Sequence, residues 1–237
     1  MHDATDSHST APAGTVGAVV VAAGSGTRFG DHEKVFLDLE GRPLLLWSVE
    51  RLARHTAVQR VVVVLGEHTI ERGRALLGGA GLAKVATCIG GATRADSTRA
   101  GLAYLPDAGI VLVHDAARPL LDDALIDRII AASRKVGAAI PVVPVSDTLH
   151  RTTPDGRSAG VVDRETLAAA QTPQAARRDW LVDALDRAGQ ATDEGGMLQA
   201  AGYPVALVAG DARNLKITWP LDLTIARSIL AAERADV

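Results

Sequence analysis

The residues with most chemistry to offer are cations on loops. Arg28 and Lys34 follow a glycine-rich turn, Val20-Val21-Ala22-Ala23-Gly24-Ser25-Gly26-Thr27-Arg28-Phe29-Gly30, that opens from an apolar run. Gly24, Gly26 and Gly30 lack a Cβ, so consecutive backbone N–H groups can close on phosphate oxygens. The two cations can then meet charge that the backbone dipoles leave unneutralised. This order suits a loop wrapped around a nucleoside triphosphate. Its spacing, GxGxxxG, is neither the GxGxxG dinucleotide fingerprint nor the Walker G-x-x-x-x-G-K-[ST] pattern. On glycines alone, a plain turn accounts for it equally well.

Other loops add polar groups. Gly90-Gly91-Ala92-Thr93-Arg94-Ala95-Asp96-Ser97 has two glycines for close backbone approach and a serine near a helix start, features that fit a base and ribose or an ordinary capped strand-to-helix turn. His114-Asp115-Ala116-Ala117-Arg118-Pro119 puts a carboxylate and a guanidinium at one strand end. Asp115 suits a sugar hydroxyl or Mg²⁺, or else an ion pair with Arg118 that ties the loop. His114 is better explained as a packed histidine than as a general base. Further on come Val162-Asp163-Arg164-Glu165, Gln171-Thr172-Pro173-Gln174, Thr192-Asp193-Glu194 and Asn214-Leu215-Lys216-Ile217-Thr218. Taken singly, Thr192 is an N-cap and Lys216 a solvated charge. Arg28, Lys34, Arg164 and Lys216 together, however, are all placed on loops, which scattered surface charge seldom is.

These loops need a scaffold. Val16–Val21, Val61–Leu65, Lys84–Cys88, Ile110–Val113 and Ala138–Val143 are short, continuously apolar and β-branched, as strands buried on both faces are. Pro43–Arg54 and Asp122–Lys135 carry apolar residues at helical spacing, with Pro43 suited to the first helical position. A strand at Val205–Val208 and a helix from Pro220 to about Arg234 close the pattern. The fold expected is α/β: one Rossmann-like domain, residues 16–237, with a mostly parallel twisted sheet and helices on both faces. Right-handed crossovers then bring the loops to the carboxyl ends of the strands. Ser146–Thr172 breaks the pattern, with Pro154-Asp155-Gly156-Arg157 as a turn. It is expected to be a projecting β-hairpin arm, used as a lid, a binding loop or a dimerisation element.

Composition narrows the function classes. A chain of 237 residues with 47% hydrophobic content can build one sizeable core, and a net charge of −3 argues against a nucleic-acid-coating surface. One cysteine, Cys88, excludes an internal disulfide and fits a reducing compartment. Residues 1–15 are expected to be a disordered tail without targeting character. No apolar run approaches the roughly 18 residues that cross a bilayer, so a cytoplasmic protein free of membrane is expected. A nicotinamide oxidoreductase is disfavoured by the glycine spacing and by the late first acid, Glu67, after the second strand.

The order AAGSGTR, a following lysine, GGATRADS, VHDAARP, VSDT, VDRE, QTPQ, TDE and NLKIT resembles the cytidylyltransferases that act on 2-C-methyl-D-erythritol 4-phosphate, over about Val16 to Leu230. The resemblance implies CTP and Mg²⁺ at the glycine-rich loop and a homodimer whose arms reach the partner's site. Ala22, Ala23, Gly24, Gly91 and Ser97 would hold the cytidine, and Asp115 a ribose or substrate hydroxyl, with Asp115 also a candidate for the metal beside the CTP phosphates. Arg28 and Lys34 would stabilise the transition state. Arg164 and Thr172 of the other subunit would join Thr192 and Lys216 in placing the methylerythritol phosphate, with Arg118 and Thr148 as further substrate positions. Glu33 stands where the family usually has proline, and Gly195-Gly196 where it commonly has Ala-Ser. A cytidylyltransferase for another polyol phosphate, such as ribitol 5-phosphate, and a non-catalytic nucleotide sensor are the competing readings.

Overall fold

Residues 14–24, 33–187 and 192–235 are described by the computed structural model of the chain. β1 (Thr15–Ala22) precedes a small hairpin, β2 (Asp38–Leu39) with β3 (Arg42–Pro43), then α1 (Leu44–Arg54), β4 (Val58–Leu65) and α2 (Ile70–Gly79). The alternation continues through β5 (Val85–Ile89), α3 (Arg94–Leu102), β6 (Ala108–Asp115), α4 (Asp123–Val136) and β7 (Ala138–Pro144). β8 (Leu149–Thr152) and β9 (Ser158–Val162) pair with each other, while β10 (Ala168–Ala170) and β11 (Gln174–Arg177) return to the main sheet. α5 (Arg178–Arg187), α6 (Glu194–Ala200), β12 (Ala206–Ala209) and α7 (Pro220–Ala235) follow.

The main sheet runs β10-β7-β11-β6-β1-β4-β5, with β12 beside β7. β1 is parallel to β4 and β6, β4 to β5, and β12 to β7, whereas β10 and β11 are antiparallel to their neighbours. Parallel neighbours need a crossover, which the amphipathic segments supply as helices. Along β1, Val16, Ala18, Val20 and Ala22 join a core with Val49 and Leu52 of α1 and Ile126 and Ile129 of α4. Val19 points the other way, into a core with Leu102 of α3, Leu181 of α5 and Leu198 of α6. Burial on both faces is the reason the strands carry unbroken apolar runs. A third, small core of Leu39, Leu44, Ile217, Ala226 and Leu230 fastens α7 to the β2–β3 hairpin.

The expected strands and helices all form, with ends shifted by at most three residues. Of the expected tail, residues 1–13 lie outside the described residues, and Thr15 opens β1. Pro43 is corrected from first helical residue to N-cap: its ψ of 140° is extended and it closes β3. The expected arm also divides. Leu149–Thr152 and Ser158–Val162 form the exposed hairpin, but Ala168–Ala170 pairs with Val142–Pro144, and Gln171 and Thr172 are buried in the body. The open backbone of β7 accounts for this, because β10 satisfies its N–H and C=O groups. Among the described residues, no helix is long and apolar enough to cross a membrane.

Candidate active site

The carboxyl ends of β1, β5 and β6 open into one cleft of about 220 Å³, whose walls include Ala22, Ala23, Gly24, Lys34, Gly91, Arg94, Ser97, Asp115 and Lys216. Eight of these nine are positions singled out in the sequence; Arg94 is the addition. The loop after β5 lies close to its neighbours. A Cβ on Gly91 would sit 2.4 Å from Asp96 Cβ, and one on Gly90 would sit 2.6 Å from Ser97 Oγ. Neither position tolerates a side chain without movement. Thr93 then starts α3 with a capping box: its Oγ1 accepts from Asp96 N–H at 3.0 Å, and the Asp96 carboxylate accepts from Thr93 N–H at 3.1 Å. Arg94, the first residue of α3, is thereby aimed across the cleft.

Charge in the cleft is closely paired. Asp115 Oδ1 accepts from Arg94 Nη2 at 3.3 Å, and Oδ2 lies 2.7 Å from Lys216 Nζ. Arg94 Nη1 also donates to Glu194 Oε1, which accepts in addition from Thr98 Oγ1 at 3.2 Å. Burial pushes the Asp115 carboxyl up, but the Arg94 guanidinium and Lys216 ammonium outweigh it and hold Asp115 well below the usual carboxylate range. Glu194, at 3% exposure, goes the other way: burial raises it against the pull of Arg94. Lys216 is therefore an ion-pair partner of Asp115, not a solvated charge.

Beneath Asp115 lies a relay of fixed hydrogen bonds. His114 is wholly buried, and Nε2 faces the Arg118 carbonyl at 3.1 Å, so that nitrogen carries the proton and Nδ1 accepts. Thr172 Oγ1, 3.1 Å from Nδ1, must donate to it, and it accepts from Asp115 N–H at 3.0 Å. Burial pushes the imidazole down to about 4. His114 is accordingly a neutral packing residue that positions Thr172, in agreement with the sequence reading.

Several expected sites are placed differently. Arg118 neither pairs with Asp115 nor faces the cleft. Its guanidinium donates to the carbonyls of Asn214 at 2.7 Å and Ala170 at 3.4 Å, tying its own loop to the end of β10 and to the segment before α7 from a buried position. Thr172 is 4% exposed, with its hydroxyl committed to His114 and Asp115 of its own chain. Thr192 does not cap α6: Asp193 does, accepting from Gly196 N–H at 2.9 Å. A carboxylate one residue closer to the helix is the better placed acceptor. Thr148 and Arg164 lie on the arm, both exposed, with Arg164 Nη1 donating to the Ser146 carbonyl. Arg28 lies outside the described residues.

Sequence reasoning missed Arg94 and Glu194 although both lie inside quoted motifs. The available signal was the charge itself, since each is the first residue of a helix whose neighbours are small. No group of three His, Cys, Asp or Glu residues able to hold a metal occurs among the described residues.

The chain matches the family IspD: 2-C-methyl-D-erythritol 4-phosphate cytidylyltransferase over residues 16–232. It belongs to that family. The cytidylyltransferase from Nocardia farcinica is 42% identical over 221 residues, covering 92% of this chain and 94% of the relative. That from Dehalococcoides mccartyi strain CBDB1 is 38% identical over 221 residues, with 92% and 97% covered. The crystal structure of the cytidylyltransferase from Thermus thermophilus superposes with a TM-score of 0.73 at 35% identity, covering 90% of this chain and 97% of that one.

Proposed function

We infer that this chain transfers CMP from CTP to 2-C-methyl-D-erythritol 4-phosphate, giving 4-diphosphocytidyl-2-C-methyl-D-erythritol and pyrophosphate, a step of isoprenoid precursor synthesis by the non-mevalonate pathway. The observation that carries this reading is a glycine-lined cleft with Lys34 on its wall, in which Arg94 and Lys216 meet on one carboxylate, in a chain of this family.

A phosphate oxygen of the methylerythritol phosphate forms a bond to the α-phosphorus of CTP as the bond to the bridging oxygen breaks and pyrophosphate leaves. The attacking oxygen is already ionised, so no general base is required, and the buried neutral His114 agrees with that. The obstacle is repulsion between anions, which preorganised cations lower. Arg28 and Lys34 are assigned to the charge developing at the α-phosphate. Ala22, Ala23, Gly24, Gly91 and Ser97 are assigned to the cytidine, and Asp115 to a hydroxyl. Lys216, with Thr192 close by in sequence to α6, is assigned to the substrate phosphate. An arriving phosphate competes with Asp115 for Lys216, so the ion pair of the free site is a resting arrangement.

Mg²⁺ is part of the reading. Asp115 is the carboxylate on the cleft wall, and both its oxygens are engaged by cations. The fit is therefore to an ion held mainly by the CTP phosphates and water, with Asp115 as the protein candidate among the described residues of the cleft wall. When bound, it would neutralise phosphate charge. A homodimer through the arm is also proposed, supported by exposed Leu149, Val161 and Leu167 and by Arg164 and Thr148 lying off the cleft of their own chain. The partner's arm would bring those two residues, whereas Thr172 acts from within its own chain. A cytoplasmic location is proposed from the lone reduced thiol, Cys88, which is free and buried.

The test is pyrophosphate release from CTP and Mg²⁺ with either 2-C-methyl-D-erythritol 4-phosphate or ribitol 5-phosphate, with the nucleotide product identified by mass. Turnover with the methylerythritol compound alone is expected. Turnover with ribitol phosphate alone would overturn the substrate assignment, and CTP binding without turnover would make the protein a nucleotide sensor.

A further inference from the structure

Lys34 begins a single 3-10 turn, Lys34–Phe36, and one arginine grips the residues on either side of it. Arg72, on α2, places Nη1 2.9 Å from Glu33 Oε2. Its guanidinium carbon also stands 4.2 Å from the centroid of the Phe36 ring. The turn itself closes through Phe36 N–H donating to the Glu33 carbonyl at 2.9 Å. Val35 and Phe36 are buried in the core, so packing holds the C-terminal side of Lys34. The Glu33–Arg72 pair holds the N-terminal side.

We propose that Arg72 is a positioning residue for cytidylyl transfer, fastening both flanks of Lys34 to α2 so that the ammonium is held at the cleft wall. This rests on the reading that Lys34 acts on the CTP phosphates. The pair is solvent-exposed, at 60% and 36% for the two side chains, so it adds little to global stability. Its effect on the reaction is larger, because a stabilising cation displaced by even a fraction of an ångström loses much of its benefit. Glu33 has φ of −66°, the value at which a proline ring is fixed. A proline at 33 therefore stiffens the same backbone without needing the arginine.

The experiment compares steady-state kinetics of the wild type, Arg72→Ala, Glu33→Pro/Arg72→Ala, Lys34→Ala and Lys34→Ala/Arg72→Ala, with thermal melting of each. Arg72→Ala is expected to lower kcat about tenfold while KM for CTP stays within about twofold and Tm moves by less than about 3 °C. Glu33→Pro in that background is expected to bring kcat back to within about threefold of wild type. Adding Arg72→Ala to Lys34→Ala is expected to change kcat by less than about twofold, since a misplaced group that is already gone costs nothing more. An impaired Lys34→Ala with a normal kcat for Arg72→Ala would overturn the positioning role alone. So would a kcat loss that persists in the Lys34→Ala background. A Lys34→Ala with normal kcat would instead remove the reading of Lys34 on which the role rests.

Discussion

Asp115 is held by Arg94 on one oxygen and Lys216 on the other, and that division decides what each cleft residue can do. Asp115 thereby fixes the direction of both cations in the free site, and in the proposed reaction Lys216 exchanges that carboxylate for the substrate phosphate. Lys34→Ala is expected to lower kcat by about 10² to 10³, the scale of losing one preorganised donor; a loss below about threefold in a pyrophosphate assay would give its role to another residue. His114 supplies a prediction about pH. Its imidazole takes a proton near 4 when folded and near 6.5 otherwise. Between those values the unfolded chain binds the extra proton, so this contribution is complete above pH 6.5 and is lost as pH falls toward 4. Urea unfolding of wild type at about pH 7 and about pH 4.5 should show on the order of 2 kcal/mol lost through this group. His114→Gln should lack that part of the drop; an equal drop in both proteins would place the titration elsewhere. The polar ends of this network were quoted in the sequence, yet Arg118 was assigned to substrate when burial commits its guanidinium to two carbonyls.

At the scale of elements, β1 and the N-terminal ends of α3 and α6 position the site. α3 presses so closely on β1 that a Cβ at Gly101 would sit 2.6 Å from Val19 Cγ1 and 2.9 Å from Cγ2. Alanine is favoured over glycine in a helix by about 1 kcal/mol, but overpacking a stiff β-branched neighbour costs about 1–3 kcal/mol. Gly101→Ala is therefore expected to destabilise the protein, or at best leave it unchanged, in chemical denaturation. A clear gain would mean that α3 moves freely over the sheet. α6 is set by a different device: Asp193 caps it, and Gly195 N–H donates to Gln174 Oε1 at 2.8 Å, which places Glu194 against Arg94. The strands behind these helices were legible because burial on both faces demands unbroken apolar runs. The end of the arm was not, because Ala168–Ala170 is as bland as a loop and becomes a strand only beside the open edge of β7.

The whole molecule offers one further test. In the proposed dimer, Lys34 and Arg164 serve the same site from different subunits. Mixed dimers of Lys34→Ala with Arg164→Ala chains are thus expected to regain one working site of two, measured as activity absent from either parent. No recovery would place both residues in one subunit. The amino-acid sequence by itself determined the α/β class, the positions of the buried parallel strands and the motifs that meet in the cleft, since periodicity, glycine spacing and residue type act locally. Only the tertiary structure decided that Arg94 meets Glu194 across 100 residues, that Thr172 turns inward to His114, and that Lys216 pairs with Asp115. Those partnerships follow from strand order and helix placement, which bring side chains distant in sequence within about 3 Å of one another, the separation at which a hydrogen bond forms.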